Sequence, residues 1–274
     1  MRTKKIITRE QIYHIKKKFR NRLTMDRYRI REDGLVDVYG DFYISNTLLK
    51  KLPFAFGKVS GNFHCSGNKL TSLKGSPSYI GGSFNCYGNN LKSLEGGPQE
   101  IGGNYSCHEN HLTSLKGSPE IINGNFACFL NQLKSLAFGP INVNGSYYAY
   151  HNELITLEGS PDYVGGSFHV GVNEFPNLLG CPKVILDTLS FSDNVTSLFT
   201  GKRNCEVKRI EIQKYEGTSK IAAKLPQIIM DNQKYLPIVL KYQTTLSIWD
   251  GNINGNFSES DFDDIIYDIK DGLL

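Results

Sequence analysis

A repeat of 21 residues decides what this 274-residue chain can fold into. Aromatic rings stand at Phe42, Phe63, Phe84, Tyr105, Phe126, Tyr147 and Phe168, and Leu189 continues the column. Asparagines keep the same interval from Asn68 through Asn89, Asn110, Asn131, Asn152 and Asn173 to Asn194. So do two leucine columns, glycines from Gly40 to Gly166 and prolines from Pro77 to Pro182. One unit, residues 59–77, reads V-x-G-x-F-x-C-x-x-N-x-L-x-x-L-x-G-x-P. Within it Val59, Gly61, Phe63 and Cys65 alternate with Ser60, Asn62, His64 and Ser66, the period of a short half-buried strand. The Asn then marks a corner, two leucines fill the interior, and Gly and Pro end the coil. So short a coil leaves no room for a full helix on its return side. A single coil cannot bury its Phe, Cys and Leu positions, so coils must stack, with parallel strands ~4.8 Å apart around a continuous core.

The prediction is a β-rich repeat solenoid: a right-handed coil of about eight units with a parallel sheet and helical caps at both ends. The run F-x-C-x-x-N-x-L-x-x-L resembles the leucine-rich repeat superfamily. The fuller GG-x-F-x-C-x-x-N-x-L-x-S-L-x-G-x-P is similar to short repeats of many tailed-bacteriophage and bacterial proteins of unassigned role. That resemblance covers roughly three-fifths of the chain and speaks to fold far more than to activity. What it implies for function is a phage-encoded protein that engages and inhibits a host protein, such as a defence component, in the host cytoplasm.

Departures from the repeat set the expected boundaries. The first coil has Ile44 for Cys and Thr47 for Asn; the last has Asp187 for Gly and Thr196 for Leu. Residues 1–37 are read as a basic N-terminal cap with a helix from Thr8–Arg9 to about Arg22, and 38–205 as the solenoid. Residues 206–274 are read as a C-terminal cap with an acidic tail: an edge strand at Val207–Ile212 and helices near Ser219–Asp231, Tyr235–Trp249 and Asp261–Lys270. A hydrophobic fraction of 39% excludes wholesale disorder. No run approaches the roughly 20 apolar residues of a membrane span, and the first residues lack a signal peptide's apolar stretch. A cytoplasmic protein with reduced cysteines is expected.

The repeating columns are read as architecture. Cys65, Cys86, Cys107 and Cys128 lie in a line at coil spacing, whereas zinc needs four sulfurs around one point at about 2.3 Å, so they are small apolar core residues. Each column Asn is a buried corner amide that bonds the next coil's backbone.

The outward strand positions obey no such rule. His64, Asn85, Ser106, Ala127, Tyr148 and His169 form one row, and Ser66, Tyr87, His108, Phe129, Tyr150 and Gly171 the next. After them come Gly67, Gly88, Glu109, Leu130, His151 and Val172. Tyr87, His108, Phe129, Leu130, Tyr148, Tyr150, His151 and His169 thus gather as an aromatic patch, the composition of a protein-binding surface on a concave sheet. Two other uses of the same rings stay open: a cross-strand ladder that only stabilises the sheet, and a face covered by a terminal segment. No nucleophile stands beside a His with a third orienting group, so no catalysis is expected, and no small-molecule substrate.

Two terminal features carry further expectations. The loop DGNINGNFSESD at 250–261 resembles an EF-hand: Asp250, Asn252 and Asn254 take the first, third and fifth places, Gly255 the turn, and Asp261 the twelfth, where a bidentate Glu is usual. Calcium is the one cofactor such letters would hold, weakly, and a plain N-G turn explains them equally. Residues 1–34 are strongly basic, and Lys16, Lys17, Lys18, Arg20 and Arg22 give an alternative function, nucleic-acid or nucleoprotein binding.

Overall fold

The computed structural model describes residues 6–201, 204–215, 225–246 and 257–274. It is a parallel-sheet β-solenoid of about eight turns at the 21-residue spacing, with a few helices near the termini. The chain divides into two compact units, Met1–Gln132 with Phe138–Pro140, and Leu133–Ala137 with Ile141–Leu274.

The first unit opens with α1 (Arg9–Phe19), whose start is fixed by a capping box between Thr8 and Gln11 and whose last turn carries Lys16, Lys17 and Lys18. A 3-10 turn, Arg20–Arg22, leads into β1 (Leu23–Ile30), antiparallel to β2 (Val36–Ile44). This hairpin lies where the sequence promised only a helical cap. Its signal was an alternation of buried Leu23 and Met25 with exposed Thr24.

Eight further short strands follow in this unit after β2: β3 (Phe56–Val59), β4 (Phe63–His64), β5 (Tyr79–Ile80), β6 (Phe84–Asn85), β7 (Glu100–Ile101), β8 (Tyr105–Ser106), β9 (Ile121–Ile122) and β10 (Phe126–Ala127). The single strand expected over Val59–Ser66 is therefore two strands with a bend at Ser60–Gly61. Backbones approach closely at this corner: a Cβ on Gly102 would collide with the carbonyl oxygen of Gly81. β2 is long enough to pair with both columns, Val38 opposite Val59 and Phe42 opposite Phe63. From there the register advances by one repeat per step, Val59 to Ile80 to Ile101 in one column and Phe63 to Phe84 to Tyr105 to Phe126 in the other. Those aromatic rings are fully buried, with centroids 4.9 to 5.8 Å apart from Phe42 to Phe126. Each contributes about 1.5–3 kcal/mol of burial.

The asparagine column fastens coil to coil. The Asn110 amide donates to Cys86 O and Cys107 O, both at 3.1 Å, and its oxygen accepts from Leu91 N at 3.0 Å. The partner is thus the preceding coil, not the next one. Asn68, Asn89 and Asn131 repeat the pattern. The cysteines are free and fully buried, and burial pushes the thiols of Cys65, Cys86 and Cys107 far above their usual range, as small core residues require.

The second unit continues with β11 (Asn142–Val143), β12 (Tyr147–Tyr148), β13 (Tyr163–Val164) and β14 (Phe168–His169). The nine-residue β15 (Val184–Ser192) serves both columns, Val184 opposite Tyr163 and Leu189 opposite Phe168. Here Leu186-Asp187 replaces the glycine pair found at 165–166, and the strand runs through without a break. β16 (Glu206–Gln213) adds in parallel, Ile210 opposite Leu189. Helix α2 (Gln227–Asp231) begins only after Pro226, which lacks the N–H a helix interior needs; the rest of the helix expected from Ser219 falls largely outside the described residues. α3 (Leu236–Leu246) and α4 (Glu259–Lys270) follow, the latter capped by Ser258, whose hydroxyl accepts from Asp261 N. No described helix is long and apolar enough to cross a membrane.

Candidate partner-binding surface

The candidate surface is built by the residues that follow each second-column strand. In the first unit Phe84, Tyr105 and Phe126 point inward, as do Cys86, Cys107 and Cys128, so Tyr87, His108 and Phe129 must point out. Coil stacking brings those three side chains into a column. Tyr87 and His108 lie 4.6 Å apart and 9° from parallel, His108 and Phe129 4.3 Å apart and 10° from parallel. His108 therefore has both ring faces covered, and only 17% of its side chain remains exposed. Tyr87 and Phe129 are half-buried. What this column offers to solvent is ring edges, the positive rim of the aromatic quadrupole.

The next residue in each coil turns the chain so that the Asn can enter the core, and it does so in the left-handed region. Gly67 and Gly88 hold this position at φ 63° and 64°, Glu109 and Leu130 at 53°. Left-handed backbone costs a residue with a Cβ about 1 kcal/mol or more. Leu130 bears that cost while leaving 45% of its surface in solvent. The glycines at 67 and 88 were the sequence signal for this geometry.

Burial favours the neutral form of His108 and lowers its pKa, opposed by Glu109, whose carboxylate lies 4.0 Å from Nε2. Its Nδ1 is buried with no hydrogen-bond partner among the described residues. A second stack, Tyr43 on His64 at 4.6 Å and 16°, stands in the same unit. Its first ring escaped the sequence analysis because the outer coil departs from the repeat. Burial lowers the His64 pKa, and Asp41 opposes that.

In the second unit Tyr148 stacks on His169 at 5.1 Å and 3°. Tyr150 meets Tyr148 and His151 edge-on, at 6.5 and 5.7 Å. His151 is exposed, with φ 52°, and Val172 takes the same backbone at 53°. Burial lowers the His169 pKa against the opposing Glu211 and Asp187. The predicted residues thus form two groups: Tyr87, His108, Phe129 and Leu130 in the first unit, and Tyr148, Tyr150, His151 and His169 in the second.

Of the calcium-loop residues, Asp250, Asn252 and Asn254 lie outside the described residues, and Asp261 sits exposed in the first turn of α4. Among the described residues no three His, Cys, Asp or Glu side chains group closely enough to hold a metal ion. The basic segment is divided. Lys16 donates to Met25 O at 3.3 Å and Arg22 to Asn46 O at 2.8 Å, while Lys17 is simply exposed. No protein-family model, curated protein or solved structure matches the chain.

Proposed function

We propose that this solenoid is a non-enzymatic interaction module that binds a partner protein on the outward side of its second strand column. The observation that carries this reading is Leu130, a large apolar side chain held in solvent on a backbone that favours glycine, beside the Tyr87–His108–Phe129 column. The corner imposes this backbone on every coil, so what singles out Leu130 is that a large exposed apolar side chain occupies a position where Gly67 and Gly88 avoid the cost. Because the ring faces are spent on one another, the partner meets ring edges, which suits carbonyl and carboxylate oxygens around an apolar contact to Leu130. The likeness of the repeat to those of tailed-bacteriophage proteins supports a host protein as that partner and inhibition as the result of docking.

Capture of proteins from the source cells by the full chain, run beside Phe129→Asp and, separately, Tyr150→Asp, tests the reading. A partner held by the parent chain and released by Phe129→Asp, with the circular dichroism of the two chains alike, is the expected result. A partner held equally by the parent and by both variants would refute the surface.

A further inference from the structure

We propose that a pocket at the end of α1 binds a phosphate group, independently of the aromatic surface. The pocket encloses about 350 Å³ and is lined by Lys18, Phe19, Arg20, Arg22 and Thr47. Two of the three cations are placed by something other than a carboxylate. Arg22 Nη1 donates to Asn46 O at 2.8 Å, and Lys18 Nζ lies 5.6 Å from the centre of the Phe19 ring. Arg20, whose exposed side chain also lines the pocket, has its backbone at φ 44° and ψ −122°, where a residue with a Cβ is strained. Among the described residues none of the three forms an ion pair, whereas Arg31, Lys116, Lys183 and Arg209 each do.

Three cations without an ion pair along one pocket, two of them guanidinium groups, match a multiply charged anion with several oxygens better than a single carboxylate. Thr47 is a wall and not a donor, since its hydroxyl is given to Asn68 Oδ1 at 2.7 Å. The pocket lies at the negative end of the α1 dipole, so the side-chain charges alone supply the attraction, and the affinity is salt-sensitive.

Inorganic phosphate titrated into the full chain at low ionic strength, followed by amide NMR and calorimetry, tests this. Saturable binding with shifts centred on residues 18–22, not reproduced by chloride at equal ionic strength, is expected. Arg20→Gly removes one cation and relieves the backbone, so its thermal midpoint is expected to equal or exceed the parent's while phosphate affinity falls tenfold or more. Lys18→Met is expected to weaken phosphate similarly. Wild-type affinity in both variants, or no saturable shift at 18–22, overturns the proposal. A short duplex DNA as competitor tells the sources apart: displacement of phosphate points to a nucleic-acid backbone, and no displacement to a free phosphate monoester.

Discussion

In the first unit Tyr105 interrupts a column otherwise filled by phenylalanine from Phe42 to Phe126, and its hydroxyl is buried with no hydrogen-bond partner among the described residues. Burial pushes the phenol pKa well above its usual range, so the group is neutral and its only cost is desolvation. Tyr105→Phe is expected to stabilise the chain by about 1 kcal/mol, read as a higher urea midpoint with an unchanged m-value. Leu130 gives a prediction of the opposite kind. Leu130→Gly relieves left-handed backbone and is expected to gain about 1 kcal/mol, yet to weaken partner capture several-fold. If the variant is both more stable and fully competent, Leu130 is strained for no recognisable use. At this scale the column of a residue was legible and its conformation was not. Glu109 and Leu130 share a column with Gly67 and Gly88, and only those two glycines betray the φ that all four adopt.

Coil stacking rests on amides as much as on rings. Removing the Asn110 side chain takes one donor each from Cys86 O and Cys107 O, which keep the amides of Asn89 and Asn131, and strands Leu91 N in the interior. Asn110→Ala is expected to cost on the order of 3 kcal/mol, measurable by chemical denaturation. Asn110→Asp should be worse, because it keeps the acceptor, loses the donors and buries a charge. A loss below about 1 kcal/mol for the alanine variant would mean that water reaches the corner and replaces the amide. The asparagine's structural role followed from its recurrence, although its partner proved to be the preceding coil. The division of each coil into two strands did not follow, because an alternation of period two is blind to a bend at Ser60–Gly61 that keeps Val59 and Phe63 both inward. β1 was hidden for another reason: its outward Arg27 and Arg29 extend a basic run that reads as solvated cap.

For the molecule as a whole, repetition made the fold class readable, since 21-residue spacing admits stacked coils and little else. A binding role was not readable in the same way, because the outward side chains are the ones that the repeat leaves unconstrained. Those side chains nonetheless couple the fold to pH. His64, His108 and His169 each sit in a ring stack, and burial lowers the pKa of each below 6.5. The folded chain thus binds fewer protons than the unfolded chain in the interval between the lowered values and 6.5, and stability must rise with pH across it. The stabilisation from neutral histidine is fully present above 6.5 and is lost as pH falls through the folded values. Asp41 acts in a lower window. The Asn62 backbone N–H holds its pKa below 3.8, so its contribution persists above that value and disappears only in stronger acid. The thermal midpoint is therefore expected to fall between pH 7 and pH 5, and again below about pH 4. Replacing the three histidines with glutamine should flatten the upper step and leave the lower one. A parent chain with equal midpoints at pH 7 and pH 5 would mean that the stacks accept imidazolium as readily as imidazole, the cation–π attraction of Tyr43, Tyr87, Phe129 and Tyr148 then offsetting the desolvation that burial imposes.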